Sequence, residues 1–256
     1  MPDARMAKSL IVTGGSSGIG AALCRLAARQ GWHVWIGYGE GSDRAARLAD
    51  ELNFEDRAAR AVALPLREPD RLREAVARIA EKDSSVSALA LCGAPAPDVA
   101  SLLKLTPEHF RNQHEAAVVG NYVLLTEVWR RCFRPRGGGQ VVAVLSAAQG
   151  PPTTPHMASY VAAKCGLEGL LNAAAAELGR AGLRIAITRP GYVETPMLNA
   201  FERLLLERAR ASAAGQAFLK PEAVAAALLH GLNNPSATQE IVELSLDDGA
   251  TLERAS

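Results

Sequence analysis

Ser9-Leu10-Ile11-Val12-Thr13-Gly14-Gly15-Ser16-Ser17-Gly18-Ile19-Gly20 is the stretch that decides the fold. Its first residues form an apolar run of strand length, its glycines mark a tight turn, and AALCRLAARQG beyond them carries apolar residues at helical spacing. Strand, glycine turn and helix N-terminus together make a phosphate cradle. Glycine backbone can approach a pyrophosphate closely, and the free N–H groups and dipole of the helix receive its charge. The spacing is Gly-x-x-x-Gly-x-Gly rather than the more familiar Gly-x-Gly-x-x-Gly, and the flanking strand and helix separate it from an ordinary structural turn.

From this unit the chain alternates strands and helices, with no repeats and no long linker. Strands are predicted near Ser9–Thr13, His33–Tyr38, Arg60–Leu64, Ala88–Cys92, Gln140–Ser146, Leu183–Arg189 and Glu240–Ser245. Helices are predicted near Gly18–Gln30, Asp43–Phe54, Pro69–Lys82, Pro107–Phe133, Ser159–Arg180 and Pro221–Gly231. Such alternation implies an α/β fold, a doubly wound parallel sheet of about seven strands with helices on both faces. Ligands of these sheets bind beyond the carboxyl ends of the strands, where the Gly14 turn, Ser146 and Pro190-Gly191 all fall. The least regular stretch, 195–219, is a candidate lid over a substrate.

A second constellation lies in the C-terminal half. Tyr160 and Lys164 stand four apart in SYVAAKCGLEGL, fourteen residues after Ser146 at the end of VVAVLS. On a helix that spacing puts phenol and ammonium on one face. A tyrosine with an ordinary pKa of about 10 is a poor acid-base group near neutrality, and a nearby cation favours its phenolate. At ~4 Å and an effective dielectric of ~20 the attraction is roughly 4 kcal/mol, an upper-end shift of about three pKa units. The expectation is therefore a Tyr160 brought towards the range of efficient proton transfer.

Composition agrees. A chain of 256 residues that is 48% apolar can bury one large core, and residues 1–256 are expected to form a single domain. A net charge of +1 offers no electrostatic case for nucleic acid or membrane partners. Cys24, Cys92, Cys132 and Cys165 show no C-x-x-C pairing, which fits a reducing cytoplasm, and no metal motif such as H-E-x-x-H is present. No apolar stretch reaches the ~18 residues of a membrane span, and Met1 to Lys8 lacks a signal-peptide core.

With both motifs in place the chain resembles the short-chain dehydrogenase/reductase family along nearly its whole length. TGGSSGIG matches that family's coenzyme turn, SYVAAK its catalytic tyrosine and lysine, Ser146 its catalytic serine, and RPGYVETPM the loop that closes over the nicotinamide. Asp248-Gly249 resembles its closing turn. The resemblance implies a Rossmann-type fold and an oxidoreductase that interconverts a carbonyl and an alcohol, in which Tyr160 is general acid, Ser146 bonds the reacting oxygen, and Lys164 serves both Tyr160 and the nicotinamide ribose. It implies coenzyme contacts from Gly14, Ser16, Ser17, Gly18, Ile19, Gly20, Tyr38, Ser42, Arg44, Leu66, Cys92, Gly93, Tyr160, Lys164, Pro190, Gly191, Val193 and Thr195. Thr195 matches the position that holds the carboxamide. By the same resemblance the long helices Pro107–Phe133 and Ser159–Arg180, rich in alanine, pair across a two-fold axis into a homodimer or homotetramer.

Several positions depart from the family pattern. Asn-Asn-Ala-Gly becomes Leu91-Cys92-Gly93-Ala94, a strand-end aspartate becomes Pro65, and the asparagine of the usual tetrad becomes Ala117. Asn121 lies one turn further on and would need a shifted helix to replace it; an unbroken helix is expected around Ala117. At the end of the second strand, where NAD-specific members carry an aspartate, stands Tyr38, with Ser42 and Arg44 near enough to bind a 2′-phosphate. Glu40 and the non-basic Ser17 argue the other way, and NADP(H) is favoured over NAD(H). Arg130, Arg131, Arg134 and Arg136, with Arg180 and Arg184, form a candidate basic patch beside the active-site mouth, suited to an acidic carrier protein or phosphopantetheine thioester as in the 3-oxoacyl-carrier-protein reductases that the chain resembles. Small-molecule ketones are the alternative substrates. A second function class stays open: a degenerate relative that binds a ligand or partner without efficient turnover.

Overall fold

Alternate residues of the first strand point into two different cores, and this sets the layering of the molecule. The computed structural model describes residues 8–54, 58–150, 153–203, 206–207, 218–234 and 239–244. Its strands are β1 (Lys8–Thr13), β2 (Trp32–Tyr38), β3 (Ala59–Ala63), β4 (Val86–Leu91), β5 (Gly139–Val144), β6 (Leu183–Pro190) and β7 (Gln239–Leu244). Its α-helices are α1 (Gly18–Arg29), α2 (Ser42–Phe54), α3 (Pro69–Lys82), α4 (Pro107–His114), α5 (Asn121–Val128), α6 (Ala158–Leu178) and α7 (Pro221–Asn233).

Leu10 and Val12 join Val34, Ile36, Ala88, Ala90, Val142 and Val144 under α1, α2 and α7. Ile11 joins Leu89, Leu91, Val141, Ala143, Ile185 and Ile187 under α3, α5 and α6. Strands buried on both faces read as continuous apolar runs, which is how β1, β4 and β5 read. The seven strands pair in parallel in the order β3-β2-β1-β4-β5-β6-β7. The chain thus starts in the middle and winds out to both edges, leaving a crevice where β1 and β4 part company at their carboxyl ends.

The predicted helix Pro107–Phe133 is helical throughout but not one α-helix. Between α4 and α5 the segment Glu115–Gly120 is π-helical, and Trp129–Phe133 is a second π segment. The expected unbroken helix around Ala117 is therefore corrected to a widened turn. Asn121 contributes to it: its side-chain amide donates to the Ala117 carbonyl at 2.9 Å, one turn back. Gly120 has a packing reason as well, because a Cβ there would lie 2.0 Å from the Leu66 carbonyl oxygen. Of the candidate lid, residues 204–205 and 208–217 lie outside the described residues, as does Asp248-Gly249. The flanks are anchored: Val193 bridges to Leu219, and Tyr192 stacks on Phe218 at 5.2 Å and meets Phe201 edge-on at 5.7 Å.

Gly120→Ala is expected to destabilise the protein by about 3 kcal/mol, because the obstacle is backbone that cannot swing away. A urea midpoint within error of the parent would show that the helix slides instead.

Candidate active site

Thr13 closes the sheet at the crevice. Its hydroxyl donates to the Ala90 carbonyl at 3.2 Å and accepts from the backbone N–H groups of Cys92 and Gly93 at 3.0 and 2.9 Å, stitching the turn after β1 to the turn after β4. The two turns then pass within a glycine's width. A Cβ on Gly14, whose φ is +62°, would meet the Gly93 Cα at 2.8 Å, and one on Gly20 would meet the Gly14 oxygen at 2.3 Å. Ser17 precedes α1 without a side-chain cap, and the first turn holds no acidic residue, so its N–H groups stay available. Bare backbone leading into an uncapped helix N-terminus suits a pyrophosphate.

The carboxyl ends of β5 and β6 supply the other wall. Ser146 follows β5 in extended conformation and caps the 3₁₀ turn Ala147–Gln149, its Oγ accepting from the Ala148 N–H at 3.2 Å. The same hydroxyl faces the cavity that Tyr160 lines. Tyr160 and Lys164 occupy the first turns of α6, 7% and 4% exposed. The Lys164 ammonium donates to the Val144 carbonyl at 2.7 Å and sits 5.6 Å from the centre of the Tyr160 ring.

A cavity of about 450 Å³ joins these parts. Gly14, Ser17, Gly18, Ile19, Gly20, Cys92, Gly93, Ser146, Tyr160, Lys164, Pro190, Gly191, Val193 and Thr195 all line it. The remaining walls include Met157, Tyr192, Met197, Leu198 and Phe201, and among the described residues that line the cavity Lys164 is the only charged side chain. Ser16, Tyr38, Ser42, Arg44 and Leu66 do not line it. Tyr38 and Leu66 pack partly buried against the two cores, Ser42 bonds Asp43 at 3.3 Å, and the Arg44 guanidinium folds over Gly41, where a Cβ would meet it at 2.2 Å.

Electrostatics depart from expectation. Burial raises the Tyr160 pKa above the ordinary value of 10.0, with the Ser146 hydroxyl acting the other way. Lys164 does not bring it towards neutrality in this state. Its own pKa is the one that falls, from 10.5 to about 8, because burial disfavours the cation. The spacing of four did place both groups on one helix face, but the ammonium is turned onto a strand carbonyl rather than onto the phenol.

The short chain dehydrogenase family model matches residues 8–204. The chain belongs to that family. A short-chain dehydrogenase is an NAD(P)-dependent oxidoreductase, and the relatives agree. The 3-oxoacyl-[acyl-carrier-protein] reductase of Staphylococcus epidermidis is 26% identical over 195 residues, covering 76% of this chain and 79% of that one. The acetoacetyl-CoA reductase of Paracoccus denitrificans is 29% identical over 201 residues, 78% and 80% of the two chains. A crystal structure of a short chain dehydrogenase from Burkholderia cenocepacia in complex with NADP superposes with a TM-score of 0.84 at 26% identity, covering 94% of this chain and 98% of the other.

The expected basic patch is corrected. Arg130, Arg131, Arg134 and Arg136 precede β5, and Arg180 and Arg184 lie at or just before the start of β6. Both groups therefore sit at the amino ends of their strands, and the cavity opens at the carboxyl ends, roughly 20 Å away by the rise of a six-residue strand. Several are already engaged, Arg130 and Arg131 by Glu127 and Arg136 by the Ser84 carbonyl. Sequence reasoning passed over Thr13, whose signal was a hydroxyl at the buried end of an apolar strand. It also passed over Gln149 and Glu168, whose partners are distant in sequence.

Between pH 8 and 10.5 the unfolded chain keeps a proton on Lys164 that the folded chain has lost, so this group makes stability rise with pH across that window. Below it the buried cation costs roughly 3 kcal/mol. Lys164→Met is accordingly expected to be more stable than the parent at pH 7, by an amount that shrinks as pH passes 8. Urea unfolding of both proteins at pH 7 and pH 10 checks this; a pH-independent difference would refute the burial argument.

Proposed function

We propose that this short-chain dehydrogenase reduces a carbonyl to an alcohol with NADP(H), Tyr160 giving the proton to the carbonyl oxygen. The observation that carries the reading is the meeting of Ser146, Tyr160 and Lys164 in one cavity with the glycine turn. The bound dihydronicotinamide supplies the hydride. Ser146 holds the carbonyl oxygen beside the phenol, and Tyr160, protonated at neutral pH, donates as negative charge develops there. Lys164, about one turn away on α6, is the cation placed to favour the phenolate that results. Pro190, Gly191, Val193 and Thr195 would hold the nicotinamide end, and Gly14 to Gly20 the pyrophosphate.

For the coenzyme, Tyr38 leaves the end of β2 without a carboxylate to repel a 2′-phosphate, and Arg44 lies over the following Gly41 turn with Ser42 beside it. For the substrate, apolar walls favour an uncharged carbonyl on a hydrocarbon chain, free or as a CoA- or carrier-linked thioester in keeping with the two named reductases. The basic cluster no longer adds weight to the carrier-linked form.

A non-catalytic reading draws on two departures. Cys92 stands in place of an amide, its thiol pushed up to about 12 by burial, and Ala117 replaces a polar side chain, while Asn121 Oδ1 is buried with no hydrogen-bond partner among the described residues. Retention of Ser146, Tyr160 and Lys164 together favours the enzyme. Self-association into a homodimer or homotetramer through α4, α5 and α6 is supported by exposed Val119 and Tyr122 and by the open surface at Gly169. Light scattering at micromolar concentration should find a dimer or tetramer, and a monomer alone would count against it.

The test is turnover of a panel of ketones and 3-oxoacyl thioesters with NADPH and NADH. Tyr160→Phe should abolish turnover while leaving NADPH affinity nearly intact, and Lys164→Ala should damage both. Retention by Tyr160→Phe of more than about a tenth of the parent rate, less than ~1.4 kcal/mol of barrier, would remove the general-acid role.

A further inference from the structure

Ser146 is held from behind by a chain of polar side chains that ends on the strand leading to Pro190-Gly191. The Ser146 backbone N–H donates to Gln149 Oε1 at 3.0 Å. The other end of the same amide, Gln149 Nε2, donates to Glu168 Oε2 at 2.9 Å. The second carboxylate oxygen of Glu168 accepts from Arg189 Nη2 on β6. Glu168 comes from α6, one turn beyond Lys164, so three separate segments converge on it. The Arg189 and Glu168 side chains are only 20% and 18% exposed, so solvent screens their pairing far less than a surface ion pair.

We propose that Glu168 is a positioning residue that fixes Ser146 and the β6 end relative to each other, and with them the two sides of the reaction site. The chemistry of the donors gives the direction. A carboxylate only accepts, whereas a glutamine amide has one accepting and one donating end. Glu168 therefore compels Gln149 to present its NH₂ to the carboxylate and its oxygen to Ser146. Without that anion the amide can flip and set an NH₂ against the Ser146 N–H, which pushes the serine strand end away from Tyr160. The Arg189 limb carries the same carboxylate to the residue immediately before Pro190. A displacement of 1 Å at a reacting group can cost about a hundredfold in rate, so a brace that touches neither substrate nor coenzyme can still set kcat. The inference rests on the carbonyl-reductase reading above.

The test uses Glu168→Gln, which keeps size and removes the anion, with Gln149→Ala and the double variant. Each single change is expected to lower kcat by about tenfold with NADPH affinity within about twofold, and the pair to lose no more than the worse single change, because the residues act in series. Exchange of the Ser146 amide hydrogen should accelerate in all three. Arg189→Met should add a loss of NADPH affinity that the Gln149 variant lacks. A purely structural brace would lower Tm in proportion while sparing kcat, and that result, or multiplicative losses in the double variant, overturns the proposal. Absence of turnover in the parent enzyme would overturn the reductase reading instead; Ser146 exchange unchanged in Glu168→Gln, with NADPH affinity unchanged in Arg189→Met, would then overturn this inference on its own.

Discussion

Everything at the crevice depends on two backbones passing closer than any side chain permits. Gly14 and Gly93 approach until a Cβ on the first would lie 2.8 Å from the Cα of the second, and the Thr13 hydroxyl holds them there by bonding both β4 and the N–H groups beyond it. Those N–H groups leave the sheet ladder at the point where the chain winds in opposite directions from β1 and β4. Unsatisfied, they would cost about as much as lost hydrogen bonds, and one buried threonine settles both. Beside this close approach the N-cap Ser17 makes no side-chain cap, so the N–H groups at the start of α1 stay open next to Gly20 and Gly14. Local economy of hydrogen bonding thus leaves an anion-shaped space.

The fold was legible because each periodic signal had one physical cause. Residues such as Leu10, Ile11 and Val12 are apolar without alternation since both faces of β1 are covered, and the helices alternate with strands since parallel strands need crossovers. The π segment at Glu115–Gly120 was not legible. It goes with Gly120 meeting the Leu66 carbonyl, a contact distant in sequence that nothing in EAAVVGNYVLL encodes, and with Asn121 bonding back to Ala117. The basic cluster is a different kind of miss. Arg130 to Arg136 precede a parallel strand, and residues before a parallel strand lie at its amino end, away from any ligand beyond its carboxyl end. The topology already contained the answer, and proximity in sequence to Ser146 obscured it.

The sequence brought most of the candidate residues to one cavity, though not Ser16, Tyr38, Ser42, Arg44 or Leu66, and it did not carry the cavity's electrostatics. Glycine spacing and the Tyr-x-x-x-Lys pair each depend on backbone geometry that short sequence windows specify well. Burial does not, and burial sets the protonation behaviour here. The same spacing that put Tyr160 and Lys164 on one face also put both against the sheet, so desolvation acts on each in the direction that opposes ionisation. The Glu168 network was hidden for a related reason, since Gln149, Glu168 and Arg189 are brought together only by the packing of α6 against β6 and the turn after β5.

Lys164 shows how that desolvation can serve chemistry. Burial disfavours its cation, and the neighbouring Cys92 is a thiol that burial holds neutral. Among the described residues the ammonium therefore rests on one strand carbonyl with no anion to balance it. A charge held this way is poorly stabilised in the resting protein and would be much better stabilised beside an anion. In the proposed reaction that anion forms on Tyr160 as the phenol gives up its proton. An interaction that is weak before proton transfer and strong after it lowers the barrier rather than merely tightening binding. Replacement of a polar residue by Cys92 fits this logic: a neutral, soft neighbour neither compensates Lys164 beforehand nor competes with Tyr160 for it. The stability forgone at neutral pH and the preference for a phenolate in the transition state are two consequences of one buried cation.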